Sequence, residues 1–148
     1  MITYKVNFYA DGTKSWYLND KRHREDGPAV EYSDGTKFWY LNDRCHREDG
    51  PAVERSDGTN SWYINGKCHR EDGPAVEYNN GTKYWYLNGR LHREDGPAVE
   101  YSDGDKFWYL NGEHLTEQQY NERMSPTKEL TVSQLQDLLG YNIKIIEG

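Results

Sequence analysis

Five tryptophans of this chain, Trp16, Trp39, Trp62, Trp85 and Trp108, stand 23 residues apart, and His23, His46, His69 and His92 keep the same step. The unit reads HREDGPAVEYSDGTKFWYLNDRC from His23 and HREDGPAVERSDGTNSWYINGKC from His46. It continues as HREDGPAVEYNNGTKYWYLNGRL from His69 and HREDGPAVEYSDGDKFWYLNGEH from His92, with a partial copy, YADGTKSWYLNDKR, from Tyr9. Near-verbatim repetition at this period restricts the fold to an array in which each unit packs on its neighbours. The same constraint settles a conflict in composition. Leu, Ile, Val and Phe contribute only 24 of 148 residues and the net charge is -7, a profile that alone suggests disorder. Yet 14% of the residues are aromatic, which a disordered chain would not be.

Each unit carries two turn signals. Asp34-Gly35, Asp57-Gly58, Asn80-Gly81 and Asp103-Gly104 suit two-residue type I′ hairpins, and so do Asn42-Asp43, Asn65-Gly66, Asn88-Gly89 and Asn111-Gly112. With Asp34-Gly35 as the loop, Tyr32 faces Lys37 and Val30 faces Trp39. With Asn42-Asp43 as the loop, Tyr40 faces Cys45 and Trp39 faces His46. Alternation then puts Val30, Trp39, Leu41 and His46 on one face, and Ala29, Glu31, Phe38, Tyr40 and Cys45 on the other. Equivalent units need an even number of strands. We therefore expect the strand at Cys45 to run through a kink at residues 47–51 into Ala52-Val53, giving two strands per unit. The expected fold is mainly β: an elongated antiparallel meander of about five hairpin units over residues 1–114, advancing ~10 Å per unit and ~45–50 Å long.

These residues resemble the MORN-repeat family in a variant form: a period near 23, glycine-punctuated hairpins, and an aromatic strand ending in an Asn-Gly turn, as in Trp85-Tyr86-Leu87-Asn88-Gly89. The HREDGPA version is similar to repeats of uncharacterised bacteriophage and giant-virus proteins, and the resemblance covers about three quarters of the chain. It departs from typical MORN units, which carry more glycine in their strands and lack the HRED segment. The resemblance implies an elongated, curled sheet used for binding or scaffolding, and it implies no catalysis. The phospholipid binding ascribed to some members would want a basic face.

The tail, residues 115–148, has a different grammar. It holds eight of the 15 Leu and Ile residues and no Trp. Thr116 and Gln119 form a capping box, with Leu115 and Tyr120 as its hydrophobic staple, and that helix should end by Ser125-Pro126. Thr131 with Gln134, and Leu130 with Leu135, repeat the pattern. Gly140 closes the second helix and residues 141–146 read as a strand. The expected role is a cap over an open sheet edge. The alternation Ile2, Tyr4, Val6, Phe8 pairs either with that strand or with its own first hairpin.

Chemistry-bearing residues favour a structural reading. The HRED segment has acid–base residue types, but an active site is one asymmetric constellation and this segment recurs four times. We read it as a stacked loop in which Arg47 pairs with Glu48 or Asp49 of its own or a neighbouring unit. The histidines are too widely spaced to share a metal ion, and His46 is expected to stack on Trp39. Cys45 and Cys68 are one repeat apart, beyond disulfide reach, and fit a cytoplasmic protein with reduced thiols. The Asn80-Gly81-Thr82 sequon is explained by its turn. No cofactor is expected. No apolar run spans a membrane, the N-terminus has no signal-peptide anatomy, and the interleaved charges offer no basic footprint for duplex nucleic acid.

Two aromatic ladders remain. Trp16, Trp39, Trp62, Trp85 and Trp108, with Leu18, Leu41, Ile64, Leu87 and Leu110, are expected to form a buried concave core. On the other face stand Tyr17, Phe38, Tyr40, Tyr63, Tyr84, Tyr86, Phe107 and Tyr109. They either stiffen the sheet by cross-strand packing or form a partner surface. With Glu31, Glu54, Glu77 and Glu100 assigned to that face, it would favour a partner protein with a basic surface. The functional reading is a non-enzymatic protein-binding module: a virally encoded accessory protein that inhibits or redirects a host protein in the host cytoplasm. Two alternatives stand beside it. One is a sponge for a nucleotide signal or an occluder of a nucleic-acid-binding site. The other is a rigid or self-assembling spacer, with a homodimer as its simplest form.

Overall fold

A computed structural model describes residues 3–125 and 130–140. The first unit contributes β1 (Lys5–Phe8), β2 (Lys14–Leu18) and β3 (Lys21–Arg22). The second has β4 (Val30–Glu31), β5 (Lys37–Phe38), β6 (Tyr40–Leu41) and β7 (Arg44–Cys45). The third repeats this as β8 (Val53–Glu54), β9 (Asn60–Ser61), β10 (Tyr63–Ile64) and β11 (Lys67–Cys68). The fourth has β12 (Val76–Glu77), β13 (Lys83–Tyr84), β14 (Tyr86–Leu87) and β15 (Arg90–Leu91). The last comprises β16 (Val99–Glu100), β17 (Lys106–Leu110) and β18 (Glu113–Leu115), followed by α1 (Glu117–Met124) and α2 (Val132–Leu139).

One antiparallel meander runs β1-β2-β4-β5-β8-β9-β12-β13-β16-β17-β18, so each complete unit adds two strands to the main sheet. The pairs β6-β7, β10-β11 and β14-β15 form separate two-stranded hairpins. The chain from Cys45 to Val53 is therefore not one kinked strand. It leaves a small hairpin, turns through the HREDGP loop and enters the main sheet anew. The parity requirement still holds, because four strands per unit is also even.

The two turn types behave differently. Asn42 and Asp43 both take left-handed φ (52° and 62°), and Tyr40 pairs with Cys45 and Leu41 with Arg44, the two-residue register expected. At the other turn only Gly35 has positive φ, while Val30 pairs with Phe38 and Glu31 with Lys37. Tyr32 N–H donates to Thr36 O, closing a three-residue Ser-Asp-Gly loop in place of the expected two-residue one. The cause is Asp34, whose carboxylate accepts the Thr36 N–H at 2.8 Å and so keeps its own backbone out of the left-handed region. Asn80 does the same for Thr82, which accounts for the sequon.

A one-residue shift exchanges the faces of a strand. Val30 therefore lies with Phe38 and Tyr40, while Ala29 and Glu31 lie with Trp39. The register, extended by one residue, sets Ala29 and Ala52 opposite Trp39 on its two sides. Consistent with this, Ala29 N–H donates to Phe38 O and Trp39 N–H to Ala52 O, both at 2.8 Å. Ala29, Ala52, Ala75 and Ala98 are 0% exposed, whereas all five tryptophans are only half-buried. The expected buried tryptophan core is thus corrected. In a single-layer sheet no second apolar layer encloses the indoles, and the residue that is fully enclosed is the small one between two of them.

The ends are finished differently. β1 pairs with β2, so the N-terminal alternation belongs to its own first hairpin. At the other end both capping boxes form, on Thr116 with Gln119 and Thr131 with Gln134, and Gly140 closes α2 with φ 72°. Leu115 and Tyr120 are buried, and Arg123 makes a two-pronged ion pair with Glu113 at 2.7 and 2.8 Å, fixing α1 against β18. The expected strand at residues 141–146 and the position of Ile2 lie outside the described residues. Among the described residues no helix is long and apolar enough to cross a membrane.

Candidate functional site

The sheet presents two surfaces of different chemistry. On the tryptophan side, each HREDGP loop is organised by its arginine. Arg47 donates from Nε to Asp49 at 2.9 Å, and from Nη1 to Glu54 at 2.9 Å and Pro51 O at 3.2 Å. Its guanidinium lies 4.1 Å over the Trp39 ring. Arg24, Arg70 and Arg93 repeat the set on Trp16, Trp62 and Trp85. Of the two partners expected for Arg47, Asp49 of its own loop is the one it pairs with. The group stacked on Trp39 is Arg47 rather than His46. These arginines hold the carboxyls of Asp49, Asp72 and Asp95 below the usual carboxylate range by hydrogen bonding.

His46, His69 and His92 join units. Their Nδ1 atoms accept the backbone N–H of Asn65, Asn88 and Asn111 at 3.1, 3.0 and 3.0 Å. A backbone donor at Nδ1 places the ring proton on Nε2, which lies 3.6, 3.6 and 3.4 Å from Glu48, Glu71 and Glu94. Among the described residues no three His, Cys, Asp or Glu side chains gather as a metal-binding group.

The other side carries the candidate binding residues. Tyr17, Phe38, Tyr40, Tyr63, Tyr84, Tyr86, Phe107 and Tyr109 are all half-buried there. Phe38 stacks on Tyr40 with centroids 6.0 Å apart, and Tyr84 on Tyr86 at 6.3 Å. Tyr101 meets Tyr84 at 5.9 Å and Phe107 at 5.8 Å, both edge-on, while Tyr109 reaches His114 at 4.9 Å. The strip is not continuous. Ser61 stands where Phe38, Tyr84 and Phe107 stand in other units, and Tyr63 has no ring partner among the described residues. Arg22 spans the first junction, its guanidinium 4.1 Å over Tyr40.

Three residues missed from the sequence complete this face: Tyr32, Tyr78 and Tyr101, which are 47%, 45% and 41% exposed. The shifted register brings them there, and the signal that could have found them is an Asp or Asn whose side chain accepts the N–H two residues on, as in Asp34-Gly35-Thr36, Asn80-Gly81-Thr82 and Asp103-Gly104-Asp105. The same shift takes Glu31, Glu54, Glu77 and Glu100 to the tryptophan side, where they pair with Arg24, Arg47, Arg70 and Arg93. The tyrosine face therefore lacks the glutamates that would have called for a basic partner.

Beneath the rings lie two free thiols, Cys45 and Cys68. Burial pushes the Cys68 thiol up to about 12 and the Tyr40 phenol to about 12. Unfolding returns both groups to ordinary values, so above about pH 9 the unfolded chain binds fewer protons and stability falls as pH rises. The urea midpoint should be lower at about pH 10.5 than at about pH 8.5, with a smaller drop in Cys68→Ala. An equal drop in both proteins would contradict the assignment.

Compared with protein-family models and with curated protein sequences, the chain matches none.

Proposed function

We propose that this chain is a non-enzymatic, repeat-type protein-binding module that acts by occupying a partner protein through its tyrosine face. The observation carrying this reading is the block of rings Tyr78, Tyr84, Tyr86, Tyr101, Phe107 and Tyr109, half-buried at its base with two exposed tyrosines at its crest. Aromatic residues of this kind concentrate binding energy at interface centres, and cross-strand stacking holds the rings in place before the partner arrives. Membership of the MORN-repeat variants, a viral source and action on a host protein in the cytoplasm belong to the same proposal and rest on the sequence resemblance.

Tyr78 and Tyr101 are the residues to remove, because Tyr40 and Tyr86 are too deeply seated to truncate without loss of packing. With Tyr78→Ala plus Tyr101→Ala, partner capture from lysate of the native host should fall at least tenfold while the thermal midpoint moves by only about 2 °C. Undiminished capture would sink the proposal, and so would unfolding of the double variant.

One observation favours a second reading. With the glutamates on the other side, Arg22 over Tyr40, and Arg55 acting on Tyr63 in the next unit, make stacking positions compatible with a nucleotide or single strand. That reading requires a nucleotide to raise the thermal midpoint.

A further inference from the structure

Three equivalent clefts lie on the tryptophan side, each between successive HREDGP loops. The first is bounded by residues 24–27 and 46–49, with Trp39 and Leu41 between them. The next two repeat it at Trp62 with Ile64 and at Trp85 with Leu87. The series has a fourth member at Trp108, and there the chain itself supplies the missing wall. Glu117 and Tyr120 of α1 line that cleft opposite residues 94–97. Tyr120 is 5% exposed, and its hydroxyl accepts the N–H of Gly96 at 3.0 Å.

Gly27, Gly50 and Gly73 hold the position of Gly96 in the other three loops. Among the described residues their N–H groups have no acceptor. A tyrosine also meets the first loop from the N-terminal side, where Glu25 N–H donates to the Tyr4 hydroxyl at 3.4 Å. Phenol oxygens are thus the groups this chain itself uses to satisfy the loop amides.

Charge narrows the occupant further. The side chains of Glu25, Asp26, Glu48 and Asp49 are 62–85% exposed, whereas Arg24 and Arg47 are held inward at 21% and 22% by their own carboxylate partners. What the cleft shows a visitor is therefore carboxylate, which attracts Lys and Arg and repels phosphate. Two main-sheet strands per unit set the clefts ~10 Å apart, about the span of one three-residue turn of a polyproline-II-like extended segment, which returns every third side chain to the same side.

We propose that the three open clefts are docking sites for the tyrosine side chains of an extended basic segment of a partner protein. Each phenol hydroxyl accepts from Gly27, Gly50 or Gly73 as Tyr120 accepts from Gly96. This surface lies opposite the tyrosine face and is independent of the reading given above.

The test is an amide NMR titration of the full chain, at low salt, with a nine-residue peptide of three Lys-Tyr-Lys units. The Gly27, Gly50 and Gly73 amides should shift while Gly96, already occupied, does not. The Lys-Phe-Lys analogue, without the hydroxyl, should bind about fivefold more weakly or worse. Tyr120→Phe keeps the ring and frees the Gly96 amide; should that variant not fold, the two peptides on the native chain decide alone. Equal affinity for the two peptides, shifts confined to other residues, or no binding would each overturn the proposal. So would shifts of these glycines that follow protein concentration without peptide, which would assign the clefts to a second copy of this chain.

Discussion

Ala75→Leu should destabilise the array by about 1–3 kcal/mol, although it only enlarges one apolar side chain. Ala75 is 0% exposed, and the register sets it opposite Trp62 on one side and Trp85 on the other. Its N–H donates to Tyr84 O and its carbonyl accepts from Trp62 N–H, each at 2.8 Å, so the backbone cannot back away without breaking the ladder on both sides. Leucine at this point must displace an indole, and each indole is pinned by an arginine 4.1 or 3.9 Å above it. Urea denaturation measures the loss. Ala10→Leu, in an exposed turn, should stay within about 0.5 kcal/mol. Trp85→Leu combined with Ala75→Leu should cost less than the two separate losses added, because the smaller side chain returns the space. If Ala75→Leu is as mild as Ala10→Leu, the alanines are not the spacers of the tryptophan ladder.

What could be read in the sequence was what local chemistry decides. The Asn-Asp and Asn-Gly turns need two successive left-handed residues, and that demand alone fixes their two-residue register. Both capping boxes are contained within four residues and form as written. The Asp34-Gly35 turn was harder, since Asp-Gly fits a two-residue loop as well as the three-residue loop that forms. The choice rests on a side chain outside the dipeptide's own backbone, Asp34 accepting from Thr36. From that one residue of register follow the corrected places of Val30, Ala29 and Glu31, and with them the charge of the tyrosine face. Burial departs from residue type for another reason. Tryptophan is the natural candidate for a core where two layers meet, and this sheet has one layer along most of its length. The clefts could not be read at all, because each is made by loops of two different units.

Arg70→Ala should cost about 2–3 kcal/mol, the sum of a lost charged hydrogen bond and a lost cation–π contact. The guanidinium donates to Asp72 at 2.8 Å and to Pro74 O and Glu77 at 3.2 Å, and lies 4.1 Å over Trp62. The Asp72 contact contributes least, since its carboxylate is 84% exposed and screened by water. The larger part comes from Glu77, 38% exposed, and Pro74 O, both left without their donor, and from an indole left without its cover. Arg70→Lys separates geometry from charge. A lysine retains the positive charge but lacks the planar fork that reaches Asp72, Pro74 and Glu77 while lying flat on the ring. It should therefore recover less than half of the loss, as read from the urea midpoint. Full recovery by lysine would show that charge alone holds the loop. Because coupling runs only between neighbouring units, hydrogen exchange in Arg70→Ala should rise first at Trp62 and Trp85 and leave the Tyr4 end protected. Uniform loss of protection along the sheet would mean that the array unfolds as one body and that the loop arginines act on all of it.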